Sequence, residues 1–214
     1  MKYTGVIFDF NGTLFWDTGL HNQAWEIFLD RFDIHISAEE MFRQFHGKCN
    51  RDILLEIFQG ALPEEQIPEM GLEKERIYRQ LCLQSGLTLA PGAISFFDFL
   101  DEQNIAYTIA TASGKENVDF YFDHLGLSRW FRYDHVVYND GAIPGKPAPD
   151  IYLKAMSIIG RKPSEVIIFE DSVTGIRAAE NAHAGRIIIV DSNDDDYSRW
   201  NHQKIKSFDE VDRN

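Results

Sequence analysis

The sequence is poor in cysteine, in basic residues and in long apolar runs, and each shortage excludes a class of protein. Cys49 and Cys82 are far apart and show no C-x-x-C spacing, so we expect two free thiols in a reducing compartment. The 21 Lys and Arg residues are outnumbered by 34 Asp and Glu residues, which gives a formal net charge of −13. This charge argues against a nucleic acid or an anionic membrane surface as partner, because either would need clustered cations.

No apolar run is long enough to span a bilayer, and Asp9 interrupts the one apolar segment near the N-terminus that a signal sequence would need. We therefore expect a cytoplasmic protein. Its 214 residues suffice for one domain of ordinary size with a small insertion, and a hydrophobic content of 44% with 16 Phe can fill the core. We expect it to be a monomer.

Short apolar runs rich in β-forming residues alternate with helical patterns, which predicts an α/β fold with a parallel five-stranded sheet and crossover helices. The predicted strands are Val6–Phe8, Ile105–Ala110, His135–Tyr138, Val166–Phe169 and Arg186–Val190. The tail after Ser192 is weakly patterned, and within it Ile205–Val211 is expected to add a short closing element.

The long gap between the first two predicted strands reads as helical throughout. Trp25, Ile27, Phe28, Leu29 and Phe32 form an apolar stripe at helical spacing. The segment 37–40 has the sequence of a capping box, and the pattern of residues 72–83 predicts a further helix after two punctuating prolines. The expected division is a Rossmann-like core formed by residues 1–16 and 87–214, with residues 17–86 inserted as an all-helical domain.

Polar residues follow the predicted strands at points where chemistry is possible. A buried run delivers Asp9 to the end of the first strand, and Gly12 and Thr13 then interrupt it. Parallel α/β folds bind ligands at the carboxyl ends of their strands, so Asp9 is placed to react rather than to stay buried. Three further polar segments come later in the chain: Thr111-Ala112-Ser113, Gly145-Lys146-Pro147-Ala148-Pro149-Asp150 and Glu170-Asp171-Ser172.

These four segments, in this order, resemble the four motifs of the haloacid dehalogenase superfamily, and the resemblance covers essentially the whole chain. It implies the Rossmann-like core with a helical cap that enters after the first motif. It also implies that Asp9 is a nucleophile that becomes an aspartyl phosphate and that Lys146 neutralises charge between Asp9 and the phosphate. The segment 111–113 (Thr111, Ala112 and Ser113) would then bind the transferring phosphoryl group.

The resemblance further implies Mg²⁺ as cofactor. Mg²⁺ prefers octahedral oxygen ligands and usually takes one or two carboxylates, with substrate phosphate and water completing its shell. The carboxylates of Asp9 and Asp171, with the backbone carbonyl of Asn11, suit that demand. Glu170 is either a further ligand or a residue that supports one.

Asn11 is the one departure from the usual first motif, Asp-x-Asp-Gly-Thr-Leu. The family's general acid/base, a second Asp, is here an amide. The backbone role in metal binding survives this change, but an amide cannot cycle a proton. The residue is either a natural variant or an engineered substitution that traps a complex, and the shifted position of Asp17 favours a natural variant.

The predicted cap resembles the β-phosphoglucomutase-like branch of the superfamily. Asp17-Thr18, His21 and Trp25 match its first cap helix, although Trp16 is an extra residue that shifts Asp17 by one place. His21 is a candidate for the substrate cleft, and a purely structural histidine is equally open. Lys74 corresponds to a lysine that lies near the substrate in the mutase.

Asn50 lies in a segment, Gly47–Asp52, that resembles the substrate-specificity loop of the same branch. It falls where the mutase has an arginine that grips the second phosphate of the sugar, which weakens the mutase interpretation. Asn50, His21 and Lys74 are therefore candidate substrate-binding residues.

The preferred interpretation is a Mg²⁺-dependent phosphohydrolase that acts on a small phosphorylated metabolite through an aspartyl phosphate. One alternative is a sugar-phosphate mutase of the β-phosphoglucomutase type, against which both Asn11 and Asn50 count. Another is a family member with little turnover that binds a phosphorylated ligand. The sequence predicts the mechanism more firmly than the substrate, because specificity lies in the cap.

Overall fold

Five parallel strands form one sheet in the computed structural model, which describes residues 3–213. The strand order is β2-β1-β3-β4-β5. The strands are β1 (Gly5–Phe8), β2 (Ala106–Ile109), β3 (Val166–Glu170), β4 (Arg186–Val190) and β5 (Gln203–Ile205). Every residue of β1 and β3 is buried, because helices cover both faces of the sheet and leave no need for polar alternation.

Four helices accompany these strands: α5 (Ala93–Glu102), α6 (Lys115–Leu125), α7 (Asp150–Ile158) and α8 (Val173–Asn181). Successive residues of β1 point to opposite faces of the sheet. Phe8 therefore packs in an aromatic cluster with Phe97 and Phe169, while Ile7 belongs to a second apolar cluster with Ile168. The sheet is thus held between two separate apolar layers.

The chain between β1 and α5 is helical, as the sequence predicts. Its helices are α1 (Thr18–Asp30), α2 (Ala38–Glu40), α3 (Asn50–Ile57) and α4 (Ile67–Ser85), with a π-helical turn (Met41–Phe45) directly after α2. We call α1–α4 with this turn the cap. The cap has an apolar cluster of its own that includes Trp25, Phe28 and Leu29. The predicted α/β fold with a parallel sheet and an inserted helical cap is therefore confirmed.

Two details of the predicted cap helices differ from the structure. Ile27 and Phe32 are 44% and 39% exposed, so the buried stripe of α1 is narrower than its apolar sequence. α4 begins at Ile67, before Pro68, rather than after it. Proline fits the first turn of a helix because the backbone N–H that it lacks has no intrahelical acceptor there. The capping prediction is supported by Ser37, whose side chain accepts a hydrogen bond from the backbone N–H of Glu40.

The predicted strand His135–Tyr138 is wrong. Tyr133–His135 is a 3-10 turn, and the segment pairs with the sheet at Val137 alone, which forms an isolated parallel bridge with Ala110. The backbone N–H of Asn139 already bonds to Ser113 O, which turns the chain away after a single bridge. The fifth strand is instead Gln203–Ile205, at the start of the predicted closing element.

The order of the strands places a crevice between β1 and β3. The chain moves outward from β1 to β2 on one side, and later continues from β3 to β4 and β5 on the other. Ligands of open α/β sheets bind at such a switch point, beyond the carboxyl ends of the strands. Asp9 follows β1 and Asp171 follows β3, so both flank this crevice.

Both cysteines are free, as expected. Across residues 3–213, none of the helices combines the length and the apolar character that crossing a membrane requires.

Candidate active site

A cleft of about 680 Å³ lies between the carboxyl ends of the strands and the cap. Most of the predicted site residues line it, namely Asp9, Asn11, His21, Asn50, Lys74, Thr111, Ala112, Ser113 and Asp171. They come from six separate parts of the chain. The folding of the cap over the sheet therefore brings together residues that the sequence keeps up to 162 positions apart, from Asp9 to Asp171.

Lys146 and Glu170, the two remaining predicted site residues, are completely buried beside Asp9. The ammonium of Lys146 donates hydrogen bonds to Asp9 Oδ1 at 2.6 Å and to Glu170 Oε1 at 2.5 Å. Burial alone would lower the pKa of Lys146, but the two carboxylates raise it above its ordinary value. The lysine therefore stays charged and binds one oxygen of Asp9.

Glu170 uses both carboxylate oxygens within the protein. Oε1 accepts hydrogen bonds from Lys146 and from the hydroxyl of Tyr152 at 2.8 Å, and Oε2 accepts from the backbone N–H and the hydroxyl of Ser172 at 2.8 and 3.0 Å. A β-carbon at position 175 would overlap this carboxylate, so Gly175 is the residue that lets α8 begin here. The geometry suits a residue that holds Lys146 in place.

Asp171 faces the same floor of the cleft. Its Oδ1 accepts a hydrogen bond from the hydroxyl of Thr13 at 2.9 Å, and Gly12 packs so closely that a β-carbon there would overlap the carboxylate. Burial, and then the neighbouring charges of Glu170 and Asp9, raise the pKa of Asp171 well above its ordinary value. Burial likewise raises the pKa of Asp9 to about 7, although Lys146 opposes the shift.

Three carboxylates, those of Asp9, Glu170 and Asp171, each place an oxygen within 4.8 Å of the others. Buried carboxylates at such distances repel one another, and this repulsion adds to burial in raising the pKa values of Asp9 and Asp171. A divalent cation relieves it, and oxygen ligands are those that Mg²⁺ prefers. The donor set therefore fits a Mg²⁺ ion held by oxygens of Asp9 and Asp171.

Asn11 has no hydrogen-bond donor left for a ligand. Its Nδ2 has two hydrogens and lies 2.6 Å from Asp17 Oδ2 and 2.7 Å from the Tyr121 hydroxyl, with Tyr78 OH at 3.3 Å. Its Oδ1 accepts from the hydroxyl of Ser113 at 2.7 Å. The amide is thus locked by its neighbours and donates nothing into the cleft.

Asp17 is the carboxylate that matches this amide. It is completely buried and accepts hydrogen bonds from Asn11, from the backbone N–H of Gly12 at 2.9 Å and from the hydroxyl of Tyr78. Burial raises the pKa of Asp17 to about 6, while these hydrogen bonds oppose the shift. An aspartate at position 11 would place a second carboxylate against that of Asp17, and the two would repel each other. The amide at position 11 instead donates a hydrogen bond to the acid at position 17.

The segment 111–113 lies beside Asp9 because Ala110 continues β2 to the same edge of the sheet. The backbone N–H of Thr111 bonds to Val137 O, and its hydroxyl accepts from the backbone N–H of Ser113 at 3.1 Å. This turn directs the Ser113 hydroxyl to Asn11. All three predicted phosphate-binding residues therefore face the floor of the cleft.

His21 and Lys74 meet on the cap side of the cleft. Lys74 Nζ lies 2.7 Å from His21 Nδ1, and the imidazole stacks on the ring of Tyr78 at 3.8 Å between centroids. Burial first, and then Lys74, lower the pKa of His21 well below its ordinary value. An ammonium can only donate, so Nδ1 accepts and the imidazole proton is on Nε2, 3.5 Å from Asp17 Oδ2.

The partly buried carboxylate of Glu75 joins the cap to the sheet-bearing part of the chain. Its Oε1 accepts from Asn50 at 2.8 Å and from Lys74 at 2.9 Å, and its Oε2 accepts from Asn117 of α6 at 2.6 Å. Arg79, one turn further along α4, donates to Asn117 Oδ1 at 2.7 Å. The Asn117 amide is thus held between an acid and a base of the cap, an arrangement that we call the Asn117 clasp.

Sequence reasoning missed Glu75, Arg79, Asn117 and Tyr121. Glu75 and Arg79 look like a solvated i,i+4 pair of a surface helix, and the sequence contains no sign that Asn117 faces them. Tyr121 reads as a core aromatic. One signal was available: Asn117 is a polar residue that helical periodicity places on the buried face of α6, one position before Val118 and four before Tyr121.

The sequence model of the haloacid dehalogenase-like hydrolases matches residues 3–183. This match spans most of the chain, so the protein belongs to the haloacid dehalogenase-like hydrolase family. The superfamily predicted from the four motifs is therefore confirmed.

Relatives extend the comparison. A hydrolase of this superfamily from Entamoeba histolytica (family IA, variant 3) has a solved structure that is 35% identical, with a TM-score of 0.87, and the match covers 97% of this chain and 95% of that one. Fructose-1-phosphate phosphatase YqaB of Escherichia coli is 28% identical over 183 residues, which is 85% of this chain and 93% of that protein. A beta-phosphoglucomutase of Mycobacterium bovis is 24% identical over 216 residues, which is 88% of this chain and 80% of that protein.

Proposed function

We propose that this protein is a Mg²⁺-dependent phosphatase of small phosphorylated metabolites that works through an aspartyl phosphate on Asp9. The observation that supports this proposal best is the meeting of Asp9, Lys146 and Asp171 at the carboxyl ends of β1 and β3. Phosphoryl transfer needs an in-line nucleophile and neutralisation of the charge on the equatorial oxygens. A buried carboxylate beside a buried ammonium and a cation site supplies both.

In the first half-reaction, Asp9 attacks phosphorus. Lys146 binds Oδ1, so Oδ2 is the oxygen that forms the new bond while the bond from phosphorus to the leaving oxygen breaks. The leaving oxygen departs as an anion and takes its proton from solvent water. In the second half-reaction, water attacks the aspartyl phosphate, which releases inorganic phosphate and restores the Asp9 carboxylate.

The residues around Asp9 have separate tasks in this scheme. Lys146 stabilises the charge that develops on the transferring group, and Glu170 keeps Lys146 in position. Within residues 111–113, the Thr111 hydroxyl and the Ala112 backbone N–H bind the phosphoryl oxygens, because the Ser113 hydroxyl and the other two backbone N–H groups donate within the protein. Mg²⁺, held by Asp9, Asp171 and the Asn11 carbonyl, would supply further neutralisation of the phosphate charge.

Asn11 sets the substrate preference of the proposed reaction. Its two amide hydrogens are taken by Asp17 and Tyr121, so the leaving oxygen receives no proton from position 11. Alkoxide leaving groups need that proton most, whereas acyl and aryl phosphates need it least. We expect a slow phosphatase that favours acyl or aryl phosphates, with a persistent aspartyl phosphate.

A phosphate-release screen tests the proposal. Wild-type protein is incubated with a set of phosphomonoesters and acetyl phosphate, with Mg²⁺ and with a chelator, beside the Asp9→Asn variant. We expect Mg²⁺-dependent release that Asp9→Asn abolishes. Release that continues unchanged in Asp9→Asn would show that another residue is the nucleophile, and no release from any ester would leave a ligand-binding protein.

Asp171→Asn is expected to remove the stabilisation of the fold by Mg²⁺. The wild type should gain about 2.7 kcal/mol at a Mg²⁺ concentration one hundred times its Kd, because the ion binds the folded state alone. Without Mg²⁺ at pH 7 the variant should be the more stable protein. The pKa of Asp171 is higher in the folded state than in the unfolded chain, so above a pH of about 4 the unfolded chain releases a proton that the folded state keeps. The Asp171 carboxyl therefore destabilises the fold increasingly as the pH rises from about 4.

Urea unfolding with and without Mg²⁺ measures both effects, and Asp123→Asn, at an exposed position of α6, is the matched control. An equal gain from Mg²⁺ in Asp171→Asn and in the wild type would remove Asp171 from the ligand set.

We also propose that the cap is a domain of residues 17–86 that moves on connectors near Phe15–Asp17 and Gly86–Pro91. Closure would exclude water from the cleft. The Asn117 clasp joins the cap to α6 and would hold the cap when it closes over a ligand.

Asn117→Ala should raise KM by about tenfold or more, because hydrogen bonds to charged groups contribute roughly 1.5–3 kcal/mol and the variant loses two of them. Small-angle scattering with a phosphate analogue and Mg²⁺ should show a smaller compaction than in the wild type. Asp119→Ala, on the same helix but bonded to Lys115 and Tyr133 at the surface, controls for changes in α6 itself. Unchanged KM and compaction in Asn117→Ala would mean that the cap is fixed by its other contacts.

A further inference from the structure

The cap side of the cleft has cations, but each of them already has a partner. Lys48 Nζ lies 2.7 Å from both oxygens of Glu56, and Arg51 donates to Glu64 at 3.4 Å. A phosphate group on a ligand would therefore compete with these carboxylates for the charge of Lys48 and Arg51.

The two cations deeper in the cleft are engaged as well. Lys74 donates to Glu75 at 2.9 Å and to His21, and Arg79 donates to Asn117 at 2.7 Å. Among the described residues that line this side, no cluster of unpartnered cations is present. Binding a second phosphate dianion usually takes such a cluster, often with a bidentate arginine.

Glu75 makes the cap side of the cleft more selective against anions than a neutral residue would. Its side chain is 13% exposed and lines the cleft between Asn50 and Asn117. Burial alone would raise the pKa of Glu75, but Lys74, His21 and the two amides lower it to about 2, so the carboxylate is ionised at neutral pH. The paired ammonium of Lys74 is only 1% exposed, so an anion placed in this part of the cleft meets the Glu75 carboxylate more directly than its counter-charge.

Hydroxyl groups are compatible with the polar residues around Glu75 on the cap side of the cleft. A hydroxyl can donate to the Glu75 carboxylate and can accept from the amides of Asn50 or Asn117 or from Lys74. It can therefore bond to the acceptors and to the donors on this side of the cleft. Apolar side chains beside them, among them Met41, Ile53 and Leu72, contact the carbon skeleton. A polyol chain or a sugar ring has this mixture of hydroxyl and C–H surface.

We propose that the cleft selects phosphomonoesters whose tail bears hydroxyl groups and no second phosphate, and that Glu75 is the residue that rejects the second phosphate. The inference rests on the proposed function, because it assumes that the reacting phosphate lies at Asp9. It also bears on the type of reaction. A sugar-phosphate mutase passes through a bisphosphate, which this cleft disfavours, whereas hydrolysis never requires one.

Binding measurements in the Asp9→Asn background test the inference without turnover. Calorimetry with Mg²⁺ compares three matched pairs, namely fructose 1-phosphate with fructose 1,6-bisphosphate, glucose 6-phosphate with glucose 1,6-bisphosphate, and ribulose 5-phosphate with ribulose 1,5-bisphosphate. In at least one pair, we expect the monophosphate to bind at least about tenfold more tightly than the bisphosphate. The second phosphate is repelled by the like charge of Glu75, whereas a hydroxyl is not.

Adding Glu75→Gln to Asp9→Asn should bring the ratio of monophosphate to bisphosphate affinity to within about threefold, because the bisphosphate then binds more tightly. The matched control is Glu73→Gln, which removes a carboxylate from the same helix at a position that pairs with Arg31 outside the cleft. Asn50→Arg is an independent variant at a partly exposed position, and it should also tighten bisphosphate binding by adding a cation beside Glu75.

Bisphosphates that bind as tightly as their monophosphates in Asp9→Asn would overturn the inference, and so would a ratio that folded Glu75→Gln leaves unchanged. Failure of every ligand to bind would overturn it as well. These results are distinct from failure of the proposed function, which is decided by phosphate release from the wild type.

Discussion

The double variant Asn11→Asp/Asp17→Asn is expected to hydrolyse alkyl phosphates about 10²-fold faster than the wild type, because general acid–base help is worth roughly 10²–10⁴-fold. It exchanges the amide and the carboxylate that lie 2.6 Å apart, so one hydrogen-bonded acid–amide pair remains. The acid then stands at position 11, where it can protonate the leaving oxygen and later deprotonate water. Aryl phosphates, whose leaving groups need little protonation, should gain far less.

The single variants show why the exchange has to be reciprocal. Asn11→Asp alone places a carboxyl group against Asp17, and carboxylates at that distance share one proton. Its gain should be positive but smaller than that of the double variant and more dependent on pH. Asp17→Asn alone leaves two amides and should show no gain.

Steady-state kinetics with an alkyl and an aryl phosphate measure all four proteins. Were the double variant no faster than the wild type on the alkyl ester, position 11 would not be the missing acid. Asp17 or His21 would then be the group that already handles the proton, since both line the same cleft.

Replacement of Lys146 by methionine is expected to lower kcat by about 10²–10³-fold, the usual effect of removing one preorganised transition-state contact. The ammonium is completely buried and bonds to Asp9 and Glu170. Without it the pKa of Asp9, already raised to about 7, should rise further, so that the nucleophile is protonated at neutral pH. Activity that remains should therefore increase towards alkaline pH more steeply than in the wild type.

The same variant should be less stable. Removing one partner from a buried ion pair costs roughly 3–5 kcal/mol, because the remaining charge has lost its counterion. Activity must therefore be measured at a temperature where circular dichroism shows the variant folded, with Mg²⁺ present. Lys154→Met, which removes a half-exposed lysine paired with Asp140 at 3.6 Å, is the surface control. Near wild-type kcat in folded Lys146→Met would assign the lysine a purely structural role.

The sequence motif is enough to predict the effect of replacing Lys146 on turnover, whereas the exchange at positions 11 and 17 depends on the tertiary structure. Lys146 was identified from its motif, and the structure added that it is buried between two carboxylates, from which the loss of stability is predicted. Asn11 was identified as a departure from a motif, but its partners were unknown. Only the contact between Asn11 and Asp17 turns a single substitution into a reciprocal exchange.

Sequence patterns predicted the sheet well where strands are fully buried. Val166–Phe169 and Arg186–Val190 are continuous apolar runs, and the structure has strands there because both faces of the sheet are covered. The pattern failed at the edges. His135–Tyr138 looks like a strand but makes one bridge, whereas Gln203–Ile205 has two exposed polar residues and pairs with β4. At an edge, pairing depends on which neighbouring backbone is free, which apolar patterning does not record.

The sequence by itself determined the fold class, the family and the floor of the cleft. Asp9 and Asp171 follow strands of one parallel sheet, and the carboxyl ends of such strands meet at one edge whatever the loops do. The tertiary structure alone decided the locked amide of Asn11 and the Asn117 clasp. Their partners are separated by 110 positions for Asn11 and Tyr121 and by 42 for Glu75 and Asn117. Such contacts depend on how the cap sits over the sheet, and local periodicity carries no information about that placement.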